Sequence, residues 1–236
     1  MGIKYFFSWF RRTQSDWYEV LPTGAPPDVQ LDVLALDLNG LFHPVVQHVY
    51  GYAESKARRF RGTPAGVPVA ARNRSLLRPP APDDLEARAF RQIAQVVDAL
   101  VQLLRPRRRL FLCIDGVAGA GKMRQQRQRR FLHAGPGDRP KEGFDKNSIT
   151  PGTPFIDRLS AFIQAHAHDR LNARADGYNA TGLQVVVSCE KVPGEGEAKC
   201  FSLLRNLSPP VESFCIQGLD ADLFMLELAQ MRPNLY

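Results

Sequence analysis

Glu195-Gly196-Glu197 and Asp220-Ala221-Asp222 each set two carboxylates two residues apart, shortly after an apolar, β-branched run. Asp37 and Asp115 end two similar runs further upstream. A parallel sheet would bring all four strand ends to one edge, the edge where α/β proteins place their sites. Six carboxylates gathered there repel: one like-charge pair about 4 Å apart costs roughly 4 kcal/mol at an effective dielectric of 20. Raised pKa values relieve part of that. Divalent cations relieve it and add chemistry. A single Asp at a strand end reads equally well as a helix cap or a surface charge, but two paired motifs among four strand ends favour a metal site. Oxygen-only ligation points to Mg²⁺ or Mn²⁺ rather than zinc. Two such ions a few ångströms apart would activate a water and stabilise the leaving oxygen in phosphodiester cleavage.

A second constellation is cationic. Lys122, Gln126, Arg129 and Arg130 lie at offsets of 4, 7 and 8, within about 100° of one another on a helix. Such a face can hold a terminal phosphate by charge-assisted hydrogen bonds. It can equally be a solvated basic face, and its position directly after Asp115 favours the phosphate. Gly116 to Lys122 also fits a P-loop joining a strand to a helix. Met123, however, stands where that motif needs a hydroxyl for Mg²⁺. His43, just beyond Asp37, is a candidate for contact with a substrate base, or a structural histidine.

These residues require a scaffold. Apolar runs at 31–38, 109–114, 183–188 and 212–217 read as strands. Asp83 or Asp84 caps a helix with a stripe of Leu85, Phe90, Ile93, Val97, Leu100 and Leu104, ended by Pro106. A basic helix covers 120–133. Thr153 as cap and Pro154 in the first turn start another, reaching Asn172, with Ile156, Leu159, Phe162, Ile163 and Ala167 as its buried stripe. Further helices follow near 195–207 and 221–230. The alternation predicts an α/β fold with a mainly parallel central sheet flanked by helices. The N-terminal aromatics, Tyr5, Phe6, Phe7, Trp9 and Phe10, read as core.

The chain has 236 residues and a formal charge of +7. Nine Lys/Arg and one acid fall between Arg105 and Arg130, a density suited to a phosphate-bearing polymer rather than a membrane surface. A loop at about 51–82 is rich in Arg and Pro, and its stretch 56–82 has no acid, so it is not expected to pack. Cys113, Cys189, Cys200 and Cys215 show no CxxC spacing and read as free thiols of a reduced, intracellular compartment. No apolar run reaches the length of a bilayer span.

The segments MGIKYFFSWF, LDLNGLFHP, CIDGVAGAGKMRQQRQRRF, FDKNSITPGTPFIDRL, VPGEGEAK and GLDADLFML occur in an order that resembles the eukaryotic XRN-type 5′→3′ exoribonucleases. The resemblance covers nearly the whole chain outside the basic loop. It implies the nuclease fold of flap endonucleases and PIN domains, here one nuclease domain over 1–236. It further implies processive, Mg²⁺-dependent degradation of single-stranded RNA bearing a 5′-monophosphate. By matching positions, Asp37, Asp115, Glu195, Glu197, Asp220 and Asp222 would be metal-site carboxylates. Lys122, Gln126, Arg129 and Arg130 would form the 5′-phosphate pocket, and His43 would pack near the first base.

Ala198 stands where a His is common in the family, and the basic loop is longer than usual. A further family aspartate and a base-stacking aromatic lie downstream of Tyr236, so a fragment or a shortened relative is expected. The alternatives left open are an RNA-binding module without turnover and a flap-endonuclease-like DNA nuclease. Nucleus, cytoplasm and protein partners are not distinguished by the sequence.

Overall fold

The computed structural model describes residues 6–14, 28–51, 82–133, 144–218 and 222–236. The expected basic loop falls almost wholly outside them. Four short strands, β1 (Val33–Asp37), β2 (Arg109–Cys113), β3 (Gln184–Ser188) and β4 (Phe214–Gln217), form one sheet in the order β3-β2-β1-β4. Every pairing is parallel. All four lie inside the runs expected from the sequence, trimmed by one or two residues at their ends.

The two central strands are apolar except at Asp37 and Arg109, because both sheet faces are covered there, as parallel sheets require. Leu34, Leu36, Leu110 and Leu112 enter one core with α2 (Leu38–Tyr50), α3 (Pro82–Leu104) and α5 (Pro154–Asn172). Val33, Ala35, Phe111 and Cys113 enter a second core with α6 (Gly196–Leu207). Crossovers from β1 to β2 to β3 run one way along the sheet, and the return from β3 to β4 runs the other. A return of the same hand must carry its helix on the opposite face, which is where α6 lies.

Most helices keep their expected bounds, including α4 (Ala120–His133). Thr153 caps α5, its Oγ1 accepting from the Ile156 N–H at 3.4 Å. Helix α3 begins at Pro82, so Asp83 and Asp84 sit in its first turn instead of capping it. Its stripe is buried at Phe90, Ile93, Val97 and Leu100, with Leu85 and Leu104 partly exposed.

Two helices were not anticipated. Helix α2 follows β1 without a break and contains Pro44. Leu38, Leu41, Phe42 and Val46 bury one face of it, which outweighs the turn signal of Asn39-Gly40. Helix α1 (Phe6–Thr13) buries Phe10 against Phe224, ring centroids 4.4 Å apart, while Trp9 is 48% exposed. The aromatic segment is therefore core in part. Asn234–Tyr236 also pairs alongside β4: Phe214 N–H donates to Asn234 O and Ile216 N–H to Tyr236 O, both at 2.8 Å. Phe214 and Leu235 thereby form an isolated parallel bridge.

Helix α7 (Asp222–Leu228) brings a titratable group against this edge. Burial pushes the Glu227 carboxyl up to about 7. The Cys215 thiol is pushed up to about 12, by burial first and the neighbouring Glu227 second. Folding therefore favours the protonated carboxyl. Its contribution to stability is full below the ordinary value of 4.5 and is lost as pH rises through about 7. Replacement by Gln should flatten the melting temperature across that window, measured by thermal unfolding of both proteins at several pH values.

Candidate metal and phosphate site

Strand β1 ends on Asp37, and Asp115 lies two residues beyond β2. Glu195 is the cap of α6 and Gly196 its first residue. The Gly196 N–H donates to Asp115 Oδ1 at 2.6 Å. A Cβ on Gly196 would overlap Asp37 Oδ1 and lie 3.3 Å from Asp115 Oδ1. The two carboxylates thus meet over a residue without a side chain, at the positive end of a helix.

Asn39, in the first turn of α2, accepts the Asp115 N–H on its Oδ1 at 2.9 Å, joining the ends of β1 and β2. Burial holds the Asp115 carboxyl above the usual range. The Gly196 N–H opposes that shift, the nearby Glu195 adds to it, and Lys199 and Lys122 oppose it.

The cationic helix reaches the same place. Lys122 Nζ lies 3.3 Å from Glu195 Oε2, and Gln126 Nε2 donates to Glu195 Oε1 at 3.2 Å. Arg129 and Arg130 lie further along α4, and their side chains are outside the described residues, as are Asp220 and the side chain of Asp222. Gly218, just after β4, packs beside Asp37: a Cβ there would sit 3.7 Å from the Cβ of Asp37. The chain entering the Asp220 segment therefore leaves from the site. Glu197 occupies the first turn of α6, half-buried, and His43 is exposed on α2.

The P-loop alternative fails on its backbone. Gly116 N–H donates to Gly194 O at 2.8 Å, and Gly194 N–H donates to Val117 O at 2.9 Å. The loop is zipped to the 189–194 turn, so Gly116 turns its amide to the protein rather than to a phosphate.

A family model described as XRN 5′-3′ exonuclease N-terminus matches residues 70–236. The chain belongs to the XRN 5′-3′ exonuclease family. It is 32% identical to a 5′-3′ exoribonuclease 2 homolog of Drosophila melanogaster, the match covering 99% of this chain and 27% of that protein. It is 33% identical to 5′-3′ exoribonuclease 2 of Gallus gallus, over 89% of this chain and 22% of the relative. For 5′-3′ exoribonuclease 1 of Saccharomyces cerevisiae the identity is 36%, covering 63% and 11%. The chain spans about a quarter or less of the length of these curated relatives. An all-parallel sheet flanked by helices is the layout expected of the XRN N-terminal region.

Among the described residues, no three His, Cys, Asp or Glu side chains are grouped to hold an ion. The donors nevertheless suit a hard cation. Asp37 and Asp115 offer carboxylate oxygens on one small residue, and Glu195 stands beside them. Oxygen donors alone are the ligand type that Mg²⁺ and Mn²⁺ take. The cysteines do not compete for this role: all four are free, with Cys113 and Cys200 buried in the second core. Among the described residues no helix is long and apolar enough to cross a membrane.

Sequence reasoning overlooked Asn39, Gly196 and Lys199 as parts of this site. Gly196 carried a signal, being the residue between two acids. Asn39 and Lys199 had none, because their partners are far away along the chain.

Proposed function

We propose that this chain is the nuclease domain of a 5′→3′ exoribonuclease, hydrolysing single-stranded RNA that bears a 5′-monophosphate and releasing nucleoside 5′-monophosphates. The observation that carries this reading is the junction at Glu195, where the acidic cluster and the cationic helix α4 share one side chain. The relatives are named 5′-3′ exoribonucleases, which supports the polarity and the RNA substrate.

Asp37, Asp115, Glu195, Glu197, Asp220 and Asp222 would hold two Mg²⁺ or Mn²⁺ ions. Bound there, such ions supply an activated water and neutralise charge on the leaving oxygen. The chain's own residues do the rest. Lys122, Gln126, Arg129 and Arg130 seat the terminal phosphate. An arriving phosphate competes with Glu195 for Lys122 and Gln126, which releases the Glu195 carboxylate for the cluster. One phosphate group satisfies the pocket, whereas a cap or triphosphate leaves charge or bulk without a partner. The scissile bond is then held one nucleotide from the end. His43, exposed on α2, would meet the first base. The four free thiols fit a reducing intracellular compartment.

The test uses the intact chain with Mg²⁺ and matched RNAs carrying a 5′-monophosphate or a 5′-triphosphate. Mononucleotide release from the monophosphate RNA alone is expected. Tight binding of both RNAs without products would replace the enzyme with a binding module. Faster cleavage of branched DNA than of either RNA would make it a flap nuclease.

A further inference from the structure

Lys199 is 5% exposed, which is unusual for a lysine outside an ion pair. Its Nζ donates to Ile114 O at 2.6 Å and to Cys189 O at 2.8 Å. Those carbonyls close β2 and β3, and each strand end leads directly into the site. Ile114 is the residue before Asp115, so the peptide that Lys199 grips is the one that sets the Asp115 Cα. The same two strand ends are zipped by Ile114 N–H donating to Ser188 O at 2.9 Å.

The side chain starts from α6, whose Lys199 N–H donates to Glu195 O at 3.0 Å. Its stem runs past Gly194, where an added Cβ would lie 3.6 Å from Lys199 Cγ. The ammonium thereby adds a side-chain link from the first turn of α6 to the ends of β2 and β3, which main-chain hydrogen bonds already join to each other. Burying an ammonium is costly without compensation. Here two carbonyl dipoles and the Asp115 charge offset part of it, burial still holding the Lys199 ammonium below the usual lysine range. Two carbonyls are an incomplete shell for three N–H donors.

We infer that Lys199 is the positioning residue of the acidic cluster: its buried ammonium clamps the ends of β2 and β3 so that Asp115 Oδ1 stays on the Gly196 amide beside Asp37. It touches neither substrate nor the reacting atoms. The catalytic part of this inference rests on the nuclease reading above; the positional part does not.

The test compares Lys199→Met, which keeps the stem and loses charge and donors, with Lys199→Arg, which keeps charge and donors in another shape. Hydrogen exchange of the metal-free chain is the first readout. Lys199→Met should lose protection in peptides covering 113–117 and 189–197, while β1 and β4 stay as protected as in the unmodified chain. Lys199→Arg should recover part of that protection.

Turnover of 5′-monophosphate RNA is the second readout. For Lys199→Met kcat should fall about 10- to 100-fold, the usual loss on removing a supporting partner of a metal-site ligand. KM should stay within about twofold of the unmodified value, because the phosphate pocket is untouched. Unchanged exchange at both strand ends would overturn the inference. So would a uniform loss of protection over the whole sheet, including outright failure to fold, since that marks a general packing role. If the unmodified chain turns over no RNA, the nuclease reading fails, and the exchange pattern still decides the placement of Lys199.

Discussion

Asp115→Asn should abolish RNA turnover, by on the order of 10³-fold or about 4 kcal/mol of barrier, while leaving the fold as stable or more so. Asn keeps the shape, and its Oδ1 can still accept the Gly196 N–H that the carboxylate accepts at 2.6 Å. Lost are the charge and one anionic donor for a cation. Burial is the main reason the Asp115 carboxyl stands above its usual range, with Glu195 adding to it.

The linkage follows from that direction. A raised folded value means the folded chain prefers the proton, so Asp115 contributes stability below its ordinary value of 3.8. The contribution is lost as pH rises through the folded value. In metal-free buffer the unmodified chain should therefore lose stability over that range, and Asp115→Asn should lose less. Saturating Mg²⁺ should reverse the order, because a ligand bound only to the folded state stabilises in proportion to its occupancy. Thermal melts of both proteins, with and without Mg²⁺ at several pH values, read this directly. If Asp115→Asn kept turnover within about tenfold, the carboxylate would not belong to the reaction centre.

The sheet and most of its helices were legible because local chemistry and global packing agree. A strand covered on both faces is a near-continuous apolar run, so VLALD and RLFLC announce themselves by four apolar residues in a row. Thr153-Pro154 announces α5 in the same way. Helix α2 was hidden because Asn39-Gly40 and Pro44 all speak for a break, and only the burial of Leu38, Leu41, Phe42 and Val46 overrides them. The paired segment at Asn234–Tyr236 is three residues long, below any periodicity that a sequence can display.

The site divides along the same line. Carboxylates and cations declare themselves by type and spacing. The pairing of Gln126 with Glu195, 69 residues apart, follows once both are placed at one sheet edge. Asn39 and Lys199 declare nothing, because their work is to hold backbone 76 and 85 residues away. Their meaning lies in the register between β1, β2 and β3, which the sequence specifies only through the whole fold.

Gly196→Ala should separate the site from the scaffold that carries it. The added methyl meets Asp37 Oδ1, the far end of a short side chain, and comes within 3.3 Å of Asp115 Oδ1. The contacts are with side-chain atoms rather than main chain, so the fold should survive. Gly196 is not among the glycines with positive φ, and Ala favours a helix over Gly by up to about 1 kcal/mol. Its amide remains to donate to Asp115. Stability should then change by less than about 1 kcal/mol, while turnover falls on the order of 10²-fold, the scale of an ångström-sized misplacement at a reaction centre. Gly116→Ala makes the opposite case. Its methyl would drive into the main-chain carbonyl of Val192 and sit 2.9 Å from that of Glu190. Neither can rotate aside, and the Gly116 N–H is committed to Gly194 O. Overpacking of that kind costs about 1–3 kcal/mol, so its urea midpoint should drop. Urea titrations and RNA turnover measured on both variants decide between them. A Gly196→Ala protein with full activity would mean that Asp37 and Asp115 do not act together over that glycine.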